Sequence, residues 1–488
     1  MPFRSTLFAL FALCFLPAAA SLSGAVFISE FDAINSGIIE DADENQPDWI
    51  ELRNNGGSSV NLNGWALSDD PADPGKWVFP NVSIAAGQNL LVFASGKNWQ
   101  IPGLQLHTSF KLDSDGGDVL LSQPDGFGGF TVVHSIQAYP GQRPGISYGY
   151  AASNPAGIPG FLQDPTPGAV NDPLVVQDFV KDTDFDVTRG YYSAPFTLHI
   201  TSATPGATIL YTLDGSEPTG TNGTQVPAAS ELVAPVATIP VTTTTVVRAR
   251  AIREGLGATN IDTHTYLFAA DVLEQDASYV DQPFATWGHS GPDWAMDPRV
   301  TGNANPEDKA VPEDFYRIPT VSLVMEWADL FGVSGPGIYI AGEGIPKEAS
   351  FELINPGADK TDPALSPAEH GRGVALVFGG SSTEKRWKTD KLSFRFNFWQ
   401  DLDSVVLGDE AVGTYDRLVL DARLNNVWNQ SQNFEQRQFG DYARDAVLTD
   451  LEQELGVKSV HSQHVHLFLN GLYWGLYTLH ERPDNHFA

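Results

Sequence analysis

Short runs of Val, Ile, Leu, Phe and Trp, cut by Gly, Asn, Asp and Pro, fill the first half of the chain. "VFISEFDAIN" leads into an acidic loop, then "DWIELRNNGGSSVNLNGWALSDD" and "KWVFPNVSIAAGQNLLVFASG". That spacing predicts an all-β sandwich. In "DWIEL", alternation sends Trp49 and Glu51 to one face and Ile50 and Leu52 to the other. A Pro/Gly/Asn-rich stretch, "NPAGIPGFLQDPTPGAVN", reads as a linker or an irregular return. "FTLHI" and "TILYTL" alternate again before the turn "DGSEP", where Gly215 is free to take positive φ and Pro218 ends the strand. "TTTTVVRARAI" alternates with Thr and Arg on its outer face, so a second, smaller sandwich is expected over residues 182–268.

Residues 269–316 are loop-like, and their aromatics, as in "TWGHSGPDWAMDP", predict packing on a neighbour. From "IPTVSLVM" onwards the pattern changes. "GVALVFGG", "KLSFRFNF" and "YDRLVLDA" read as strands, and "DYARDAVLTDLEQELG" reads as a helix. In the helix Ala443, Val447, Leu451 and Leu455 recur every four residues, with Asp441 able to cap the start and Gly456 the end. "HVHLFLNGLYWGLYTL" is two alternating runs joined by Asn470-Gly471, the two positive-φ positions of a type I′ hairpin. Val465, Leu467 and Leu469 share one face; His464, His466 and Phe468 share the other. The third region is therefore mixed α and β.

A length of 488 residues exceeds one ordinary core. The opening "MPFRSTLFALFALCFLPAAASLSG" has one positive charge, a short apolar run and small residues after it, the layout of a secretory signal over residues 1–20. No later stretch is long and apolar enough to span a bilayer. The single cysteine, Cys14, lies inside that segment, so a processed chain would have neither disulfide nor thiol chemistry. The expected address is secreted, extracellular or cell-surface. A net charge of −32 argues against nucleic acid as a partner. The loop "EDADENQPDW" has carboxylates enough for calcium but lacks the Gly and the spacing of an EF-hand, and a solvated loop is the other reading.

Three resemblances follow from these motifs. Glu30, Asp48–Leu52, Asn54, Leu62, Gly64-Trp65, Leu67, Asp69 and "FP…G…LLVFASG" make residues 22–170 similar to the lamin-tail domain, an immunoglobulin-like sandwich. That resemblance implies a binding or spacer module. "YYSAPFTLHI", "ATILYTLDGSEPT" and "VVRARAI" resemble the chitobiase/hexosaminidase C-terminal module, which is fibronectin-like and is expected here as a spacer. "IPTVSLV", "LFG…GIYI", "GRGVALVFGGSS", "KLSFRF", "YDRLVLDARLNN", "DYARDAV" and "HLFLNGLYWGLYTLHERPD" make residues 317–488 similar to the amino-terminal portion of the CotH-type kinase family. The expected architecture is thus two all-β immunoglobulin-like sandwiches, a linker over 269–316, and an α+β atypical kinase-like domain incomplete at its C-terminus.

The kinase resemblance implies ATP with Mg²⁺ or Mn²⁺, and a protein substrate in the envelope or extracellular space. Phosphoryl transfer needs cations on the phosphates, a carboxylate-held metal and a positioned base. Lys391, before the "SFR" run, matches a family lysine, with Leu392 intervening, and Lys388 is the substitute. As plain chemistry, Lys391 is equally an exposed strand lysine. Gly379-Gly380-Ser381-Ser382 offers backbone amides to phosphate, or makes an ordinary hairpin turn; Gly380 and Ser381 are its central residues. Glu452 or Glu454 could pair with the lysine by fold analogy. Glu481 and Arg482 match the family's "HERPD" and would border the nucleotide or fix the lobe junction. The catalytic aspartates are expected beyond Ala488. His461, His464 and His466 invite a zinc reading, but no third carboxylate or cysteine of suitable spacing accompanies them, so no metal site is assigned. The competing reading of the whole is a non-catalytic surface adhesion or matrix scaffold, whose sandwiches bind protein or polysaccharide.

Overall fold

The computed structural model describes residues 26–43, 45–276, 294–302, 309–332, 337–341, 345–354, 368–377, 391–408, 411, 413–423, 440 and 442–482. Strand predominates and helices are few and short. The chain divides into two units, Met1–Val175 and Val176–Ala488.

The first unit contains two larger antiparallel sheets and a two-stranded one, Val60–Asn61 with Ser83–Ile84. Of the larger sheets, one has the order Gly160–Leu162, Ser147–Gly149, Val26–Asp32, Asp48–Asn54, Asn89–Ala94. The other runs Trp77–Val78, Ala66–Ser68, Gly117–Pro124, Phe130–Tyr139. Aromatic contacts such as Phe31 with Tyr139, ring centroids 4.7 Å apart, fill the core. "DWIEL" alternates as its sequence predicts, yet Trp49, Ile50, Glu51 and Leu52 are all fully buried. The polar face of this strand is covered because the Pro/Gly-rich return folds back over it. Thr166 and Gly168 donate backbone N–H groups to Glu30 and Glu51 at 2.9 and 2.6 Å.

The second unit begins with the smaller sandwich. A three-stranded sheet (Thr183–Phe185, Phe196–Ser202, Val236–Val241) shares a core with a five-stranded one (Gly190–Tyr191, Asp262–Leu267, Thr245–Ile252, Thr208–Thr212, Thr224–Pro227). Gly215 has φ +80°, as the "DGSEP" turn requires.

The strands that follow close into a barrel. Its order is Thr320–Val324, Lys347–Ile354, Glu369–Val377, Phe394–Asp403, Thr414–Asp421, Leu472–Glu481, Ser462–Leu469. Parallel pairing of Thr320 with His466 completes the ring. Large apolar side chains, among them Phe351, Phe394, Phe396 and Trp474, fill its interior. The described residues of this region form a barrel with short helices attached. The closing hairpin turns at Asn470 and Gly471, with φ +47° and +80°. Val465, Leu467 and Leu469 point into the barrel core, while Phe468 on the opposite face packs with Leu267, Val272, Phe315 and Ile354.

The helix spans Arg444–Glu454 and is followed by Gly456 at φ +76°. Its N-cap is Ala443, without a side-chain hydrogen bond, and Asp441 lies outside the described residues. Its predicted apolar stripe is exposed: Val447, Leu448, Leu451 and Leu455 all keep about half or more of their surface open. Periodicity placed the helix correctly, but burial does not follow from periodicity unless a partner surface is present.

Sandwich and barrel meet through polar groups. Strand Asp262–Leu267 lays Thr263 and Thr265 against Ser350 and Ser322, each pair of hydroxyls 2.8 Å apart. Glu352, on the barrel, accepts from the Thr265 N–H at 3.0 Å and from its hydroxyl, and meets Arg189 at 3.1 Å. Tyr191 adds a hydroxyl contact to Thr320 at 2.8 Å. Within the barrel, Asn470 accepts from the Met325 N–H at 2.9 Å and donates to its carbonyl at 2.7 Å, which fixes the hairpin turn. Gly471 lies against the sandwich: a Cβ there would sit 3.0 Å from Val246. The segment 269–316 contributes too, since Gln275 bonds Tyr473 N–H and carbonyl at 2.9 and 3.1 Å, and Trp294 enters the barrel core.

Candidate functional site

Lys391 sits three residues before its strand, half-buried, where the sequence predicts a strand start. Its ammonium lies 4.0 Å from the centroid of the Trp474 ring. The next peptide is held from both sides: Leu392 N–H donates to the Tyr339 hydroxyl at 3.3 Å, and the Tyr477 hydroxyl donates to the Leu392 carbonyl at 3.0 Å. Burial, with Tyr339 and Asp421 nearby, moves the Tyr477 pKa well above the usual value, so this hydroxyl keeps its proton.

Beyond Leu392 a polar network begins. Ser393 donates to Asp421 at 3.1 Å and accepts from Ala422 N–H at 3.0 Å. Asp421 also accepts from Arg423 N–H at 2.8 Å. Arg423 takes φ +53°, a left-handed conformation that a non-glycine residue adopts only when its surroundings hold it there. Its guanidinium supplies the hold, reaching Thr478 at 3.1 Å and Asp445 on the helix at 2.7 Å. Lysine, serine and aspartate are thus fixed on one rim of the barrel, with the helix tied to them through Arg423 and Asp445. The helix partner is Asp445 meeting an arginine; Glu452 bonds Ser459 at 2.7 Å.

Glu481 and Arg482 are not part of this group. Register pairs Glu481 with Leu418, and Leu418 with Phe396. That is five residues along the strand from Lys391, roughly 17 Å at strand rise. Glu481 is buried and accepts from His461 at both the backbone N–H, 2.9 Å, and the ring Nδ1, 3.0 Å. Its role here is to fix the start of the closing hairpin. Lys388, Gly380 and Ser381 lie outside the described residues.

The three histidines go to three different partners. His461 meets Glu481, His464 meets Thr478 at 3.3 Å, and His466 meets the Tyr473 hydroxyl at 3.1 Å. Burial lowers the His466 pKa to about 4, consistent with a neutral packed imidazole. Among the described residues no group of three or more His, Cys, Asp or Glu is arranged to hold a metal ion. The acidic loop is also engaged: Lys97 places its ammonium 2.6 Å from both Asp41 and Asp43, where a cation would otherwise sit. Asp41 additionally accepts N–H bonds from Asp43 and Asn45 at 2.9 and 3.1 Å. Burial alone would raise its pKa, but Lys97 and these amides outweigh it, and the net shift is downward.

Sequence reasoning did not single out Trp474, Asp421 or Arg423 as site residues. Trp474 reads as a hairpin core residue, and it is one, yet its ring also faces Lys391. The signal available for Asp421 and Arg423 was their place just past the apolar run "LVL", where a strand ends and side chains gather at a rim.

By architecture the chain is a β-sandwich module followed by a second sandwich joined to a closed barrel with a polar rim. Three family descriptions match it in that order: Lamin Tail Domain over residues 19–135, chitobiase/beta-hexosaminidase C-terminal domain over 187–264, and CotH kinase protein over 376–488. Each match spans less than half of the chain, which is similar to these three families over those stretches. A search of curated proteins returned no match. Among the described residues no helix is long and apolar enough to cross a membrane.

Proposed function

We propose that this is an exported bacterial protein whose CotH-type domain transfers the γ-phosphoryl group of ATP to Ser or Thr hydroxyls of envelope or extracellular proteins. The observation that carries the reading is the Lys391 rim, inside the stretch that matches the CotH kinase family. The rim fits a polyphosphate in one respect: it offers an ammonium on a rigidly held segment. The described residues do not fit Mg²⁺ or Mn²⁺, because no carboxylate cluster is arranged for one. No step is therefore routed through a metal. ATP supplies the phosphoryl group, and the part of the chain is to bind and orient its phosphates.

The second reading, a non-catalytic surface scaffold, is favoured by the sandwich docked on the barrel through Arg189, Thr265 and Glu352. Such a join suits a module built for rigidity. One experiment separates the two. The protein, alone and extended past Ala488, is incubated with radiolabelled ATP and Mg²⁺ or Mn²⁺ beside Lys391→Ala. Label on the protein itself or on envelope proteins, lost in Lys391→Ala, supports the kinase. Absence of both transfer and nucleotide binding in the extended protein leaves the scaffold.

A further inference from the structure

The Trp474 ring that faces Lys391 is built to stay still. It is buried in the barrel core and packs edge-on against Tyr339, centroids 5.3 Å apart at 88°, and beside Phe331 at 5.6 Å. Tyr339 and Tyr477 in turn hold the two sides of the Leu392 peptide, so ring and lysine backbone are fixed to the same aromatic cluster. The four-carbon stem of Lys391 has the rotatable bonds that ring and backbone lack. An indole face is the best aromatic surface for an ammonium, because its quadrupole is negative over the ring and part of the cation's water is already shed there.

We propose that Trp474 is a positioning residue for Lys391: in the ligand-free protein its indole face is the resting dock of the ammonium, and a polyphosphate draws the ammonium off the ring. This rests on the reading that Lys391 meets phosphate. The dock keeps a long side chain with many rotamers directed at the rim. An incoming phosphate then offers a full negative charge, which competes with the ring for the same cation.

The test is carbon-13 NMR of the full chain labelled at lysine Cε, with Lys391→Arg identifying the Lys391 signal. The dock predicts that the Lys391 ε-protons are shifted upfield by the indole ring current. Trp474→Phe should retain part of that shift. Trp474→Leu should abolish it while the other lysine signals stay in place, a local signature that a merely structural role would not give. Tripolyphosphate, and then ATP with Mg²⁺, should move the signal downfield. An ordinary Lys391 position in the unliganded wild-type chain overturns the dock, whatever the variants do. An upfield signal that stays put while calorimetry registers tripolyphosphate binding overturns the release step. An upfield signal with no binding of either polyphosphate keeps the resting contact, and overturns the release and the nucleotide reading together.

Discussion

Three buried carboxylates, Glu30 and Glu51 in the first unit and Glu352 in the second, are satisfied in different ways. In the first unit, Glu30 and Glu51 receive no cation from the described residues; Ser147, Thr166, Ser29 and Gly168 supply hydroxyl and amide donors. In the second, Glu352 receives the Thr265 N–H and hydroxyl, and Arg189 as well. Burial raises the pKa of all three, and Arg189 pulls that of Glu352 back down. The difference follows from what each carboxylate joins. Glu30 and Glu51 tie a return loop to its own sheet, a task for which neutral donors suffice. Glu352 joins two β-structures, and Arg189 offsets part of the cost of burying a charge at that seam, while the net shift of its pKa stays upward.

The largest expected effect comes from breaking the charge pair. Arg189→Met leaves Glu352 buried without its cation and should cost about 3–5 kcal/mol. Hydrogen exchange should report it as lost protection in both Asp262–Leu267 and Lys347–Ile354, the strands on either side of the seam. Glu352→Gln in the same background should recover much of the loss. Unchanged exchange in Arg189→Met would make the pair incidental.

Next in size is the response to pH. In the first unit Asp32 is raised to about 8, and Asp48 and Glu51 to about 7, in each case mainly by burial. An acid that holds its proton more tightly when folded stabilises the fold below its unfolded pKa, near 4, and loses that contribution as pH rises through its folded value. His134, lowered to about 4 by burial, acts the other way below pH 6.5. The first unit should therefore lose stability between about pH 5 and pH 8. The loss should reach a few kcal/mol, since each tenfold change in proton affinity is worth ~1.4 kcal/mol. In the second unit the contributions oppose. Asp262 is raised to about 6, while burial lowers His370 and His466 to about 4. Its dependence should be shallower. Exchange protection of Val26–Asp32 and Lys347–Ile354, corrected for intrinsic rate at pH 5 and 8, checks the contrast. Equal slopes would erase it.

Glu51→Ala should cost about 1–3 kcal/mol, since it removes the carboxylate that accepts from the Gly168 N–H and leaves the buried Ser29 hydroxyl only the residue-51 backbone carbonyl. Proteolysis within residues 160–170 should report the freed return. Lys97→Met should cost about 1 kcal/mol or less, because the pair is partly exposed and Asp41 keeps its two amide donors. A larger loss would show that Lys97 is the loop's structural cation.

These contrasts also mark how far the sequence could be read. Strands, the Asn470-Gly471 turn and the "DGSEP" turn were legible because local alternation and positive-φ residues specify them. Barrel closure was not, since pairing of Thr320–Val324 with Ser462–Leu469 joins strands well over a hundred residues apart and leaves no local trace. The outer polar face of "VVRARAI" suggested solvent. Arg248 is instead buried, donating to the Gly215 carbonyl at 3.2 Å with Glu326 at 3.6 Å. Polar pattern tells which side faces away from a strand's own core, not whether another structure covers it. At the candidate site the motif singled out Lys391, and the structure adds its place three residues before the strand Phe394–Asp403. Its separation from Glu481 follows from register, and Trp474 from a contact across the barrel rim.

The central claim is that the smaller sandwich and the barrel are one folded body. The most direct measurement is peptide-resolved hydrogen exchange of the full chain across a denaturant series. Thr245–Ile252 in the sandwich and Phe394–Asp403 in the barrel, neither at the Glu352 seam, should lose protection at the same denaturant concentration. Loss of sandwich protection while the barrel strand stays protected would contradict the claim and return the sandwich to the role of a spacer.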